Sequence, residues 1–273
     1  MAASDKSRAG QRTLAGTAAG AAAVVAGFAA WLILLPHSAP PVDVRPAGYA
    51  AAVQPAAPNA APAAAQQAAA PPIAPPAEPA AASQAAPAAV DPAWLGSTAA
   101  AAGIPDRALL AYASAALSVA RTDPACRLGW TTLAAIGAVE SGHGTHGGAS
   151  LAADGTAAPR IVGPRLDGTG FARIQDTDSG TFDGDPAWDR AVGPLQFIPS
   201  TWLRYGADGS GDGIADPQNI DDAALAAGRY LCAAGGDLSS GAGWSAAVYA
   251  YNHSGEYLQS VLAQANEYAA KSS

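Results

Sequence analysis

The sequence predicts an α+β domain, mostly α-helical with one small β-hairpin, over residues 93–270. Two observations indicate this class: apolar residues recur at helical spacing in five segments, and one intervening region changes to short runs around a turn. The five segments are 106–120, with Asp106 as the N-cap, 130–141, 221–234, 244–252 and 257–270. The hairpin is expected where residues 160–166 and 170–175 flank an Asp-Gly turn signal at 167–168.

The first 35 residues predict a membrane anchor. Residues 1–13 carry three basic residues against one acidic residue, and residues 14–35 then run without a charge. At about 1.5 Å per residue this run spans roughly 33 Å, enough to cross a bilayer with the basic tail in the cytoplasm. A cleaved signal peptide and a secreted product are the alternative, although the apolar run is long and the region near Ala39 lacks a clean cleavage site. We expect a single-pass protein of the cell membrane with an extracytoplasmic domain.

Residues 36–92 predict a disordered linker. The segment is almost wholly Ala, Pro and Gln, with no apolar period and few large side chains to bury. A partly polyproline chain of this length reaches on the order of 160 Å at most and about 40 Å on average. Such a tether would let the domain work in a layer outside the membrane, and an inert spacer would have the same composition.

The two cysteines, Cys126 and Cys232, are too far apart in sequence for a CxxC redox or zinc motif. An oxidising exterior permits a disulfide, so we expect these two residues to be bonded. Two buried free thiols are the alternative.

Glu140 is the strongest catalytic candidate. It shares one helical stripe with Leu133 and Ile136, near the point where Gly142 predicts the end of the helix. A carboxylate on an apolar stripe loses solvation of its charged form, which raises its pKa and suits a general acid near neutral pH. The alternative is a solvated glutamate at the end of a surface helix.

Two further segments carry unusual motifs, Gly-Pro-Leu-Gln-Phe-Ile-Pro-Ser-Thr at 193–201 and Tyr-Asn-His-Ser at 251–254. Together with Glu-Ser at 140–141, they resemble the lytic transglycosylase branch of the lysozyme-like superfamily, and within it the membrane-bound, type B murein transglycosylases in their actinobacterial version. The resemblance covers roughly residues 104–270. It implies a lysozyme-like fold and cleavage of the MurNAc–GlcNAc β-1,4 bond of peptidoglycan.

The resemblance also implies roles for individual residues. Glu140 would be the catalytic acid and later the base. Gln196 would line the sugar subsites with its amide, and Tyr251 and Asn252 would contact the N-acetyl sugar near the cleaved bond. Ser141 is a further substrate-binding candidate, although a serine after the acid also suits a hydrogen bond at the helix end.

One carboxylate suffices for this chemistry. Glycosidases usually need two, but in a transglycosylase the C6 hydroxyl of the muramic sugar replaces water, and the product has a 1,6-anhydromuramyl end. A muramidase that hydrolyses the same bond is the alternative, and the five Asp residues within 176–189 could supply its second carboxylate. We expect them to form turns instead. A non-catalytic, membrane-anchored peptidoglycan-binding domain is the third interpretation.

No cofactor is required by this chemistry, but residues 208–219 match a calcium loop. The matching positions are Asp208, Ser210, Asp212, Gly213, Asp216 and Asn219. The twelfth position is normally a bidentate Glu, and Asn219 offers one amide oxygen, so a structural calcium site here would be weak. A turn-forming loop without metal is the alternative.

The charge balance excludes one class of partner. The net charge of −8 and a pI near 4.8 provide no basic patch for nucleic acid. Glycan strands of peptidoglycan are compatible, because they are bound by hydrogen bonds and by stacking on aromatic rings. The aromatic candidates are Trp188, Trp202, Tyr249 and Tyr251, each of which also suits a core position. The expected partners are therefore peptidoglycan and the membrane, and the sequence identifies no protein partner.

Overall fold

Seven α-helices and two small antiparallel sheets form the part of the chain that the computed structural model describes, residues 90–169 and 171–272. The helices are α1 (Pro92–Ala102), α2 (Asp106–Thr122), α3 (Trp130–Ser141), α4 (Pro199–Tyr205), α5 (Ile220–Gly235), α6 (Gly241–Tyr251) and α7 (Gly255–Lys271). The strands are β1 (Ser150–Leu151), β2 (Ala157–Ala158), β3 (Val162–Arg165) and β4 (Arg190–Val192). The helix-rich α+β class and the five predicted helices are confirmed.

No helix among the described residues is long and apolar enough to span a membrane. The predicted anchor at 14–35 and residues 36–89 of the predicted linker lie outside them.

Helices α1 and α4 were not predicted, and both have proline in the first turn. Proline is favoured at this position because the first helical N–H groups have no intrahelical acceptor. The Asp91 carboxylate caps α1 by accepting the N–H groups of Ala93 and Trp94 at 2.8 and 2.9 Å. The predicted N-cap role of Asp106 is wrong, since Pro105 occupies that position and Asp106 is the first residue of α2.

The predicted hairpin is only partly correct. A turn follows residue 167, since Asp167 and Arg173 form a β-bridge and the Ile174 N–H donates to the Leu166 carbonyl at 2.8 Å. The main partner of β3, however, is β4, with Val162 opposite Val192. Turn signals identify neighbours in sequence, whereas this pairing joins segments separated by the acidic loop 176–189. The pairing places the loop that follows β4 beside the helices.

Helix α3 lies in the centre of the core and packs against α2 and α7. All six residues from 132 to 137 are buried, so the helix is enclosed on every side rather than along the single predicted stripe. A disulfide joins Cys126, just before α3, to Cys232 in α5, with the Cα atoms 5.3 Å apart, which confirms the predicted pairing.

Candidate active site

Glu140 lies in the last turn of α3. The helix ends at Gly142, whose N–H donates to the Ala138 carbonyl at 3.0 Å, and the His143 N–H reaches back to the Gly137 carbonyl at 2.9 Å. These two bonds satisfy carbonyl groups that a helix end leaves without partners. The Glu140 side chain is partly buried, and its Oε1 accepts a hydrogen bond of 2.6 Å from the Tyr257 hydroxyl on α7.

Burial raises the pKa of Glu140 to about 7, and the hydrogen bond from Tyr257 lowers it in part. The two nearby titratable groups that interact with it are the phenols of Tyr251 and Tyr257, whose own pKa values are raised, first by burial and then by the Glu140 charge. A carboxyl with a pKa near 7 is present in both protonation states at neutral pH. It can therefore donate a proton in one step and accept one in the next. The predicted rise in the pKa of Glu140 is confirmed.

The motif that follows β4 forms a tight loop at residues 193–196. Val192 and Phe197 exchange two backbone hydrogen bonds of 2.9 Å, which close the loop, and the Gly193 N–H donates to the Ile161 carbonyl at 2.9 Å. Gly193 has a φ of 76°, and a Cβ there would lie 1.7 Å from the carbonyl oxygen of Pro217. Only glycine can occupy this position without moving the neighbouring backbone.

The three predicted motifs meet at this loop. The Ser141 hydroxyl donates to the Pro194 carbonyl at 2.5 Å, and the Tyr251 hydroxyl donates to the Leu195 carbonyl at 2.8 Å. Segments more than 50 residues apart in sequence are thus joined by two hydrogen bonds to adjacent carbonyl groups. The same elements carry Glu140, so its position is coupled to the position of the loop.

The contacts of Ser141 fit the alternative role, a hydrogen bond at the helix end. Its side chain is buried, and its hydroxyl also accepts the Gly144 N–H at 2.8 Å. Ser141 therefore connects the end of α3 to the loop, and a substrate contact by Ser141 stays a prediction. Tyr251 is partly buried against Phe197 and Tyr230, with ring centroids 5.9 and 5.6 Å apart, and its hydroxyl is used by the loop.

Gln196 and Asn252 are the predicted binding residues with accessible side chains. Gln196 is partly exposed, has a left-handed backbone with a φ of 48°, and donates from Nε2 to the Gly193 carbonyl at 2.9 Å. Left-handed backbone is uncommon for a residue with a side chain and is concentrated at functional sites. Asn252 is exposed directly after α6. Sugar contacts by Gln196, Tyr251 and Asn252 stay predictions.

Tyr257 is the functional residue that the sequence analysis missed. It comes six residues after Tyr251, at the start of α7, where the Ser254 side chain accepts its N–H at 3.3 Å. Its place on the buried face of a predicted amphipathic helix, directly after the Tyr-Asn-His-Ser motif, was a usable signal. No signal in the sequence indicated that Tyr257 contacts Glu140, because 117 residues separate the two.

The acidic loop 176–189 forms turns, as predicted. Asp176 and Asp178 accept backbone N–H groups within the loop, and the buried Asp189 accepts from the Thr177 N–H and hydroxyl at 2.8 and 2.7 Å. Asp185 forms ion pairs with two arginines. Oxygen atoms of Asp176, Asp178 and Asp189 lie within 4.8 Å of one another, a grouping that could accept a cation.

The predicted calcium loop is organised by a residue outside it. Asp222, fully buried, accepts the N–H groups of Gly209, Ser210 and Asp216 at 2.8 to 2.9 Å. Asn219, assigned to the twelfth position, instead caps α5, with its Oδ1 accepting an N–H group of that helix. The predicted ligands do not form a converging carboxylate group in the described residues. The geometry favours the turn-forming interpretation, and calcium binding stays a prediction.

The four aromatic residues predicted to stack on sugar differ in how much of the ring is exposed. Trp202 is buried against Phe197, with ring centroids 5.2 Å apart, so it is a core residue. Tyr249 is 47% exposed, and Trp188 is partly exposed with the Arg173 guanidinium 5.4 Å from its ring centroid. Tyr249 is therefore the exposed one of the four predicted candidates, whereas the Arg173 guanidinium lies over the Trp188 ring.

Comparison with known proteins agrees with this geometry. Residues 171–264 match the family model described as a transglycosylase SLT domain, about a third of the chain. No curated protein and no solved structure matches the chain. The chain therefore carries a transglycosylase domain of the lysozyme-like superfamily. This family indicates peptidoglycan lytic transglycosylase activity for the matched domain. The matched segment contains the 193–196 loop, Tyr251 and Tyr257, whereas Glu140 precedes it and is assigned by its geometry.

Proposed function

We propose that the enzyme cleaves the MurNAc–GlcNAc β-1,4 bond of peptidoglycan and leaves 1,6-anhydromuramyl ends. Glu140 first protonates the glycosidic oxygen, so that the GlcNAc alcohol leaves. The resulting carboxylate then takes the proton of the C6 hydroxyl as that oxygen attacks C1 of the same muramic sugar. The observation that supports this proposal best is the pKa of Glu140 near 7, with a neutral phenol as its hydrogen-bond donor.

The surroundings of Glu140 favour an internal nucleophile over water. Hydrolases place a second carboxylate within about 10 Å to activate water or attack the sugar. In the described region, the groups that interact electrostatically with Glu140 are the phenols of Tyr251 and Tyr257. Asp residues of the 176–189 loop, the candidates for a second carboxylate, accept hydrogen bonds from backbone N–H groups and pair with arginines. The C6 hydroxyl needs only a proton acceptor, which Glu140 becomes after the first step.

Sugar binding is assigned to the accessible polar groups near the loop. Gln196 and Asn252 present amide groups, which suit the hydroxyl and N-acetyl groups of a largely neutral glycan. Tyr251 holds the 193–196 loop in place by donating a hydrogen bond to the Leu195 carbonyl. Truncating Gln196 or Asn252 should therefore weaken binding of glycan strands without unfolding the domain.

We also propose that residues 14–35 anchor the enzyme in the cell membrane with the domain outside. The peptidoglycan substrate and the disulfide both support an extracytoplasmic location. Protease added to intact spheroplasts should release the domain, whereas a mature protein beginning near residue 40, or found free in the medium, would show a secreted form instead.

The mechanism is tested with Glu140→Gln, acting on purified peptidoglycan with mass analysis of the products. The amide keeps the shape but cannot donate the proton, so turnover should fall by at least about 10²- to 10⁴-fold. Glu267→Gln is the matched control, because Glu267 is exposed on α7 and pairs only with groups on that helix. Reducing ends alone would assign a muramidase, and full activity in Glu140→Gln would remove Glu140 from the mechanism.

A further inference from the structure

A buried histidine lies just after α3, the helix that carries Glu140. His143 is the second residue after α3, is only 7% exposed, and has a left-handed backbone with a φ of 62°. A residue with a side chain stays in this conformation only where its surroundings hold it there. The proposed reaction does not use His143, so its burial and backbone conformation need another explanation.

Both ring nitrogens of His143 are bonded to tyrosines from different helices. Nδ1 lies 3.2 Å from the hydroxyl of Tyr112 on α2, and Nε2 lies 2.9 Å from the hydroxyl of Tyr268 on α7. Burial lowers the pKa of His143 to about 4, so the ring is neutral near pH 7 and has one donor and one acceptor nitrogen. One tyrosine therefore donates to the ring and the other accepts from it.

The same α7 helix carries the hydroxyl that binds Glu140. Tyr257 and Tyr268 are eleven residues apart, about three helical turns, so they lie on one face of α7 about 16 Å apart along its axis. Tyr257 contacts Glu140 and Tyr268 contacts His143. The end of α3 is thus attached to α7 at two separated points, which fixes its position along that helix as well as its rotation.

Tyr112 connects this arrangement to a third helix. A Cβ on Gly137, within α3, would lie 2.0 Å from the Tyr112 hydroxyl. Glycine weakens a helix interior, and here it leaves room for that hydroxyl against the α3 backbone. The last turns of α3 are therefore enclosed by Tyr112 on one side and by α7 on the other, with His143 joining the two.

We propose that His143 is a positioning residue for Glu140, because the Tyr112–His143–Tyr268 bridge holds α3 at the one position along α7 where Tyr257 reaches the carboxyl. The effect of this bridge on catalysis rests on the proposed function of Glu140. Its effect on the hydrogen bond between Tyr257 and Glu140 does not. A hydrogen bond of 2.6 Å weakens steeply when its ends shift. Displacement of a catalytic group by about 1 Å can cost about 10²-fold in rate.

The test is Tyr268→Phe in the full-length enzyme, which removes one hydroxyl from the bridge and leaves the ring in the core. The pKa of Glu140 is read by ¹³C NMR of glutamate carboxyl carbons, assigned with Glu140→Gln. The pKa should rise, because the Tyr257 bond that lowers it is weakened. On purified peptidoglycan, kcat should fall about 10-fold with KM within about twofold, since only the reacting group is misplaced.

A double-mutant cycle and a matched control separate positioning from stability. In the Tyr257→Phe background, Tyr268→Phe should change neither the pKa nor kcat further, since the bond it supports is already absent. The control is Thr132→Val, which removes a buried hydrogen bond of 3.0 Å that Trp244 on α6 donates to α3. It should lower Tm while leaving the pKa of Glu140 and kcat unchanged.

Three results would overturn the positioning role. One is a Tyr268→Phe enzyme with a lower Tm but an unchanged Glu140 pKa and kcat. Another is full additivity with Tyr257→Phe. If Tyr268→Phe does not fold, the test uses Tyr112→Phe, which removes the hydroxyl at the opposite end of the bridge. The third result is a Tyr112→Phe enzyme in which the pKa of Glu140 does not rise. Full activity in Glu140→Gln would overturn the proposed function alone, because the NMR titration still measures the coupling.

Discussion

Glu140→Gln should make the enzyme more stable at alkaline pH while it abolishes turnover. Burial raises the pKa of the Glu140 carboxyl from the ordinary 4.5 to about 7. A carboxyl with a folded-state pKa above its unfolded value holds its proton more tightly in the folded state. The free energy of unfolding must therefore fall as pH rises from about 4.5 to about 7, and stay level above that range.

The size of this effect follows from the pKa. Each pKa unit corresponds to about 1.36 kcal/mol, so moving from 4.5 to about 7 costs the charged form about 3 kcal/mol. Glu140 is partly exposed, so this figure is an upper limit. Glutamine carries no charge at any pH. The variant should therefore match the wild type near pH 4 and exceed its unfolding free energy by up to about 3 kcal/mol at pH 8.

Urea unfolding followed by tryptophan fluorescence at pH 4, 6 and 8 measures this difference. Glu267→Gln serves as the control, since its carboxylate is exposed and pairs with Lys271, so its loss should lower stability slightly at pH 8. A constant difference between Glu140→Gln and wild type across the three pH values would refute the claim that a buried charge is formed at Glu140. The same pKa predicts that kcat/KM falls as pH rises through about 7, because the acid form is lost.

Three further predictions concern the rest of the fold. Reducing the disulfide, which closes a loop with a sequence separation of 106, should lower the urea-unfolding free energy by up to about 4.7 kcal/mol; an unchanged value would remove its stabilising role. Gly193→Ala should unfold the domain or sharply lower Tm, since its Cβ would meet the Pro217 carbonyl, whereas Gly184→Ala, with similar φ but open space, should cost only about 1–2 kcal/mol. Asp222→Asn should lower Tm equally with and without millimolar calcium, because Asp222 holds the 208–219 loop through its hydrogen bonds. If calcium raises the Tm of the wild type and Asp212→Ala abolishes that rise, the loop binds calcium.

The sequence predicts the helices with a clear apolar period and the raised pKa of Glu140. That rise depends on local burial, which the apolar neighbours of Glu140 in α3 already indicate. Its hydrogen-bond partner was not predictable in the same way, because Tyr257 reaches Glu140 only after the chain has folded. The two missed helices, α1 and α4, begin at prolines, which mark helix starts as well as breaks.

The three motifs lie next to one another in the structure, but the contacts that two of their residues make with the 193–196 loop could not be predicted from the motifs. A motif gives residue types and order, and it does not say which atom each side chain faces. Ser141 and Tyr251 each donate a hydroxyl to a carbonyl of the 193–196 loop, whereas their sugar contacts stay predictions. Both hydroxyls therefore help to hold the loop in place.

The neutral donor to Glu140, the Tyr257 hydroxyl, suits a single carboxylate to both steps of the proposed reaction. Asp185 shows the contrast: burial would raise its pKa, but hydrogen bonds from Arg190, the Ala187 N–H and Arg165 outweigh burial and leave its pKa lowered. A cation in the position of Tyr257 would act on Glu140 in the same direction and keep it ionised, unable to protonate the leaving oxygen. A phenol stabilises the carboxylate enough for it to form after proton transfer, yet leaves burial dominant and the pKa near 7. The acid step and the base step can therefore be served by the same residue.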